Sequence, residues 1–153
     1  LLRGHRAHGR RGARRVMATE KLIGRLATGI GMGKTFTRLD WARTQFVEKL
    51  GIDPFPGTIN VILDDPDSMP VWMRLKRTDG VRMDNPGNGP HDCDAKCWRV
   101  SVGDRIDGAI VFPLVDGYPP AQVEVIAAVG VRDALGIEDG DTVVLTLMDR
   151  PGA

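Results

Sequence analysis

Two cysteines in 153 residues, Cys93 and Cys97, cannot build a disulfide framework. No stretch approaches the roughly 20 consecutive apolar residues of a membrane-spanning helix, and none near the start has the apolar centre of a secretory signal. These absences point to a cytoplasmic protein without a membrane partner. Acid is missing from the first 15 residues, which carry Arg3, Arg6, Arg10, Arg11, Arg14 and Arg15. Such a run buries too little apolar surface to fold. Residues 1–16 are therefore expected to be a disordered basic leader, or a non-native extension ahead of Met17. Residues 17–153 form the folded domain, which is net acidic although the whole chain carries +1. No internal repeat is evident, and the strand–helix alternation of an open nucleotide-binding sheet is absent.

What the chain has is turn chemistry: 19 Gly and 10 Pro, with 42 % hydrophobic and 27 % charged residues, indicate many short strands around an ordinary globular core. Strands are expected at Lys21–Thr28, Lys34–Leu39, Thr58–Leu63, Val71–Lys76, Lys96–Val102, Arg105–Leu114, Gln122–Ala128 and Thr142–Met148. A helix is expected over Trp41–Leu50, with Asp40 as N-cap, Gly51 as stop, and Ala42, Phe46, Val47 and Leu50 on its apolar face. A second helix should run from Val131 to Leu135 and end at Gly136. Residues 78–92 read as a loop. Together these predict a mainly β fold: a small closed β-barrel with one or two short helices.

Three clusters bear on chemistry. The first is Pro54-Phe55-Pro56-Gly57-Thr58-Ile59-Asn60. Two prolines and a glycine make a tight approach to a strand, on which Thr58 and Asn60 leave the same face. One hydroxyl oxygen and one amide oxygen, both neutral, suit a hard cation such as Mg²⁺ whose charge is balanced by substrate phosphates. The plainer reading is a polar pair serving the turn.

The second is Gly29-Ile30-Gly31-Met32-Gly33-Lys34. It fails the P-loop spacing, because the required earlier glycine falls on Thr28, and Phe36-Thr37-Arg38-Leu39 reads as strand rather than helix. Alternating glycines still let backbone N–H groups approach an anion, and Lys34 adds charge. A ligand-free hairpin is the alternative. The third, His91-x-Cys93-x-x-x-Cys97, offers three zinc-ligand types but no fourth. Structural or loop cysteines are favoured.

In their order, these segments resemble the archaeal-type, CTP-dependent riboflavin kinases. The likeness runs from about Lys21 to Met148. It takes in the Gly29–Gly33 loop, Gln45-Phe46-Val47-Glu48-Lys49-Leu50-Gly51, the Pro54–Val61 motif, and Lys96-Cys97 ahead of Ala109-Ile110-Val111-Phe112-Pro113. It continues with Tyr118-Pro119-Pro120, Glu124-Val125-Ile126-Ala127 and Arg132-Asp133-Ala134-Leu135-Gly136. The resemblance implies a cradle-loop barrel of about six core strands that uses CTP, releasing CDP, to convert riboflavin to FMN; a monomer is expected. It implies that Gly29, Ile30, Gly31, Met32, Gly33 and Lys34, with Val129, Gly130, Val131 and Arg132, hold the nucleotide. Thr58 and Asn60 would bind Mg²⁺, and Asp116 and Glu124 would contact the flavin. An inward Glu124 needs partners on a strand of Val-Glu-Val-Ile, and it is the weak candidate for a catalytic base. Phe55, Tyr118 and Trp98 are candidates for an aromatic wall. Two departures stand out: Met32 replaces a usual Glu, and Asp116 replaces a neutral hydroxyl. They leave open a flavin- or nucleotide-binding regulator without turnover. A DNA-binding barrel with the leader as its arm is a further alternative, although nucleic acid is not expected as a partner.

Overall fold

The computed structural model describes residues 20–28, 39–87 and 93–148. Among these are seven strands: β1 (Lys21–Ala27), β2 (Ile59–Leu63), β3 (Val81–Met83), β4 (Ala95–Val102), β5 (Ile106–Pro113), β6 (Gln122–Ala127) and β7 (Thr142–Leu147). All pairings are antiparallel, and the sheet order is β3-β4-β5-β6-β2-β1-β7. A further pairing of β4 with β7 closes six strands into a barrel. Strand β4 makes closure possible by dividing one edge. Its first half, Ala95–Cys97, pairs with β3, and its second half, Val100–Val102, pairs with β7. The mainly β, closed-barrel expectation holds, with β3 as an extra strand.

Alternation along the strands sorts side chains into two cores. Leu22, Leu26, Val61, Val100, Ile110, Val123, Val125, Val143 and Leu145 fill the lumen. Val111, Ala109, Ile126 and Cys97 face outward and are covered by a second apolar layer. Strand β6 is therefore buried on both faces at all six positions. At Gly24 a Cβ would sit 2.3 Å from the Ile62 carbonyl oxygen, so β1 and β2 can approach this closely only where β1 has no side chain.

The outer layer is helix α1 (Asp40–Gln45), which widens into a π-helical turn over Phe46–Leu50. Ala42, Phe46 and Leu50, four residues apart, pack on the sheet, and Gly51 ends the helix in the left-handed region at φ 70°. Two expectations are corrected here. Asp40 is the first helical residue, and the cap position is Leu39, which has no side-chain cap bond. Val47 lies off the apolar stripe and is 45 % exposed.

The largest correction is Val71–Lys76, expected as a strand. It belongs to helix α2 (Ser68–Lys76). A short apolar run does not declare its period, and Val and Trp lean toward strand. The turn at Asp65-Pro66-Asp67 and the placement of Pro70 in the first helical turn, where its missing N–H costs nothing, favour the helix. Ser68 fastens it by accepting the Ile23 N–H at 2.8 Å and donating to Asp65 at 3.0 Å. Lys96 Nζ caps its far end on the Lys76 and Thr78 carbonyls, at 2.6 and 2.9 Å. Trp72 drives into the lumen core, edge-on to Trp98 and Phe112 at 5.9 and 5.6 Å.

The loop expected over 78–92 contains the short strand β3, where Met83 is fully buried. Helix α3 (Val131–Leu135) and its stop at Gly136 are as expected. The strand expected over Lys34–Leu39 lies outside the described residues except for Leu39, which is not in a strand.

Candidate functional site

The Pro-Phe-Pro-Gly segment is pinned where β6 ends: the Phe55 N–H donates to the Ala127 carbonyl at 2.8 Å. Strand β2 follows, sending Ile59, Val61 and Leu63 into the lumen. Thr58 and Asn60 consequently share the outer face. Thr58 Oγ1 and Asn60 Oδ1 are both shut off from solvent, and neither has a hydrogen-bond partner among the described residues. Leaving such an atom unsatisfied costs about 1–3 kcal/mol. Two orphaned oxygens at consecutive same-face positions are therefore not explained by a turn, which would have used them.

Strand register sets Asn60 between Ala27 of β1 and Glu124 of β6, with Val111 of β5 beyond. Glu124 is fully buried. Its Oε1 accepts the Tyr118 hydroxyl at 2.9 Å and Gln122 Nε2 at 3.4 Å. Burial first, and the neighbouring carboxylate second, push the Tyr118 phenol far up, so it remains a neutral donor. Glu124 thus has the partners that a buried carboxylate requires, but it faces the outer side of the barrel and not the lumen. Its strand neighbours Val123 and Val125 take the lumen positions.

A cavity of about 250 Å³ opens at the same end of β2. Its walls are the Phe55–Ile59 segment on one side and Val129, Gly130, Val131 and Arg132 on the other, with Val125 and Ala127 beneath. The Phe55 ring lies against Gly130, where a Cβ would come within 3.2 Å of Cζ. Arg132 donates from Nη2 to Asp139 Oδ1 at 2.7 Å, and Asp139 Oδ2 accepts the Thr28 hydroxyl at 2.6 Å. These two donors, Thr28 foremost, hold the Asp139 carboxyl below the usual range.

The fold thus brings Thr58, Asn60 and Glu124 onto one face, and joins Thr58 to Val129–Arg132 through the cavity. Asp116 is exposed in the turn before Tyr118 and, among the described residues, makes no hydrogen bond or ion pair. Gly29, Ile30, Gly31, Met32, Gly33 and Lys34 lie outside the described residues, as does His91. Cys97 is a fully buried outer-face core residue whose thiol burial pushes strongly up, and Cys93 packs beside that core. Among the described residues no three His, Cys, Asp or Glu side chains come together to hold a metal. Of the candidate aromatic wall, Trp98 is core, with its Nε1 donating to Thr78 at 2.9 Å. Phe55 is half-exposed at the cavity, and Tyr118 serves Glu124. Sequence reasoning missed Thr28, Gln122 and Asp139; Glu138-Asp139-Gly140-Asp141 has no more than the composition of a turn.

Comparison with known proteins bears on the same segments. The family model named CTP-dep_RFKase, described as "Domain of unknown function DUF120", matches residues 26–147. A protein named riboflavin kinase from Pyrobaculum arsenaticum is 37% identical over 133 residues, covering 86% of this chain and 62% of that protein. Its namesake from Methanocella arvoryzae is 38% identical over 124 residues, 81% of this chain and 55% of the relative. The one from Methanosarcina mazei is 40% identical over 130 residues, 84% and 57% respectively. The chain therefore spans 55% to 62% of the length of these relatives.

Proposed function

The chain belongs to the CTP-dependent riboflavin kinase family, and from that membership we propose that it transfers a phosphoryl group from CTP to riboflavin, forming FMN and CDP. The observation that carries this reading is the pair of buried oxygens on Thr58 and Asn60, unpartnered among the described residues and set between the cavity and Glu124. Their chemistry fits a divalent cation, Mg²⁺ in our reading. Two neutral oxygens supply no charge, so the ion's charge is left for phosphates to balance. When bound, the metal would neutralise charge developing on the transferred group.

The protein's own part is positioning. Val129, Gly130, Val131 and Arg132 form the wall of the cavity where the nucleotide would lie, and Arg132 contributes a fixed positive charge. Glu124 would accept a hydrogen bond from a hydroxyl of riboflavin, steadied by the Tyr118 hydroxyl. Being one register step from Asn60, it would bring that substrate beside the metal ligands. The glycine segment Gly29–Gly33 with Lys34 would complete the phosphate contacts, and Asp116 would border the flavin. We keep Glu124 as a binding residue and weak candidate base. No described helix is long and apolar enough to cross a membrane.

The test is incubation of the full chain with riboflavin, Mg²⁺ and each nucleoside triphosphate in turn, with FMN separated and quantified by its fluorescence. FMN formed with CTP, and little with the others, is the expected result. Flavin binding without turnover on any donor would instead support the regulator reading, which the exposed Asp116 carboxylate favours.

A further inference from the structure

Asp139 has no part in the reading above, yet it ties the end of β1 to the cavity wall. One of its oxygens takes the Thr28 hydroxyl and the other takes Arg132, at 2.6 and 2.7 Å. Thr28 is the residue immediately before Gly29, and it is 111 positions from Asp139 in the chain. Arg132 lines the cavity.

The turn bearing Asp139 is stitched to β1 without help from the Asp139 side chain. The Gly140 N–H donates to the Leu26 carbonyl at 2.8 Å, and the Leu26 N–H donates to the Asp141 carbonyl at 2.9 Å. The Asp141 carboxylate accepts the Glu138 N–H at 2.9 Å, and Arg25 Nη1 donates to the Gly140 carbonyl at 3.1 Å. The carboxylate is thus presented from a fixed platform. A guanidinium has five N–H donors, and Asp139 engages one of its nitrogens, which leaves the rest of the fork for an anion.

We propose that Asp139 is a positioning residue for nucleotide binding, orienting Arg132 at the cavity while Thr28 at the end of β1 holds its other oxygen. This rests on the kinase reading. Without Asp139, binding would have to order a rotamer-rich arginine first, at a cost in affinity and not in the chemical step.

Two measurements on the full chain test it: calorimetric titration with CDP and Mg²⁺, and steady-state FMN formation resolving kcat and the KM of each substrate. Asp139→Ala is expected to weaken CDP binding about threefold to tenfold, the range set by immobilising one such side chain. KM for CTP should rise in parallel, with kcat and the riboflavin KM unchanged. Asp139→Asn, which keeps an acceptor for Thr28 but loses the charge, should fall between wild type and Asp139→Ala. Thr28→Val should weaken CDP slightly, and combined with Asp139→Ala should add nothing, because the hydroxyl acts through the carboxylate. Unchanged CDP affinity would overturn the proposal. So would tighter CDP binding, which would mean that Asp139 holds Arg132 away, or equal losses in kcat and both KM values, which would mean a merely structural role. A wild type that neither binds CDP nor forms FMN would overturn the kinase reading itself. A competent wild type with unaffected variants would overturn only the role of Asp139.

Discussion

Thr58 and Asn60 put opposite demands on stability and function. A buried hydroxyl without a partner is a liability to the folded state, and removing it relieves the desolvation cost. Thr58→Val keeps the β-branched shape. It is expected to leave stability unchanged or raise it by up to about 1 kcal/mol, while lowering FMN formation by about 100-fold or more if the hydroxyl is a metal ligand. Urea denaturation and the FMN assay, run on one preparation, check both halves. A variant that loses stability and keeps turnover would return Thr58 to the turn. This pair was legible in the sequence because strand alternation alone predicts a shared face. What it could not give was that both oxygens go unpartnered among the described residues, since that depends on every neighbour that might have reached them. Asp139 was illegible for the complementary reason: Thr28, 111 positions away, is brought to it by the pairing of β1 with β7, and the seven-residue spacing to Arg132 is not by itself a pairing signal.

At the scale of elements, α2 plugs the barrel. Trp72 is 1 % exposed and meets Trp98 and Phe112 edge-on, with Lys76 Nζ over two of these rings at 5.2 and 5.5 Å. Removal of this side chain is expected to cost about 3–5 kcal/mol, and Trp72→Phe distinctly less. Denaturant titration of Trp72→Ala and Trp72→Phe measures both. Thr28, Thr58 and the Val129–Arg132 wall lie at the end of β1, the start of β2 and beyond β6, while Tyr118, the partner of Glu124, meets Phe112 edge-on at 5.6 Å; Trp72→Phe keeps an aromatic ring against Phe112, so its folded fraction should keep FMN-forming activity. The same helix shows where local reading failed. Strand propensity in Val71-Trp72 was outweighed by a proline and turn that start a helix, and by a lumen end that needed a bulky cover. The remaining barrel strands that are described were readable to within a residue or so, because alternation and turn residues coincide. The exception is β3, whose three residues are too few to show a period.

Across the whole molecule, acid stability depends on carboxylates held below their usual range. Asp53 is lowered by the Arg43 guanidinium, through hydrogen bonds of 2.7 and 3.0 Å, and Asp139 by Thr28 and Arg132. A depressed folded-state pKa means that the stabilisation is complete above the unfolded value of 3.8 and is lost as pH falls through the lower folded value. Both groups are open to solvent, so the effects are small. Wild type should melt above Asp53→Asn and Asp139→Asn near pH 6, with the curves converging toward about pH 2. A gap that persists or widens in acid would show that these pairs do not act through their charge.

The pairing of β1 with β7, together with β4 against β7, has a consequence for synthesis. The first described strand finds a partner in the last, Lys21 opposite Thr146. A ribosome delivers β1 well before β7, so the nascent chain must wait with β1 and β4 each lacking a neighbour until β7 emerges. Nucleotide recruitment, which by our proposal draws on Thr28 and Asp139 meeting across that seam, would then begin only once β7 has emerged.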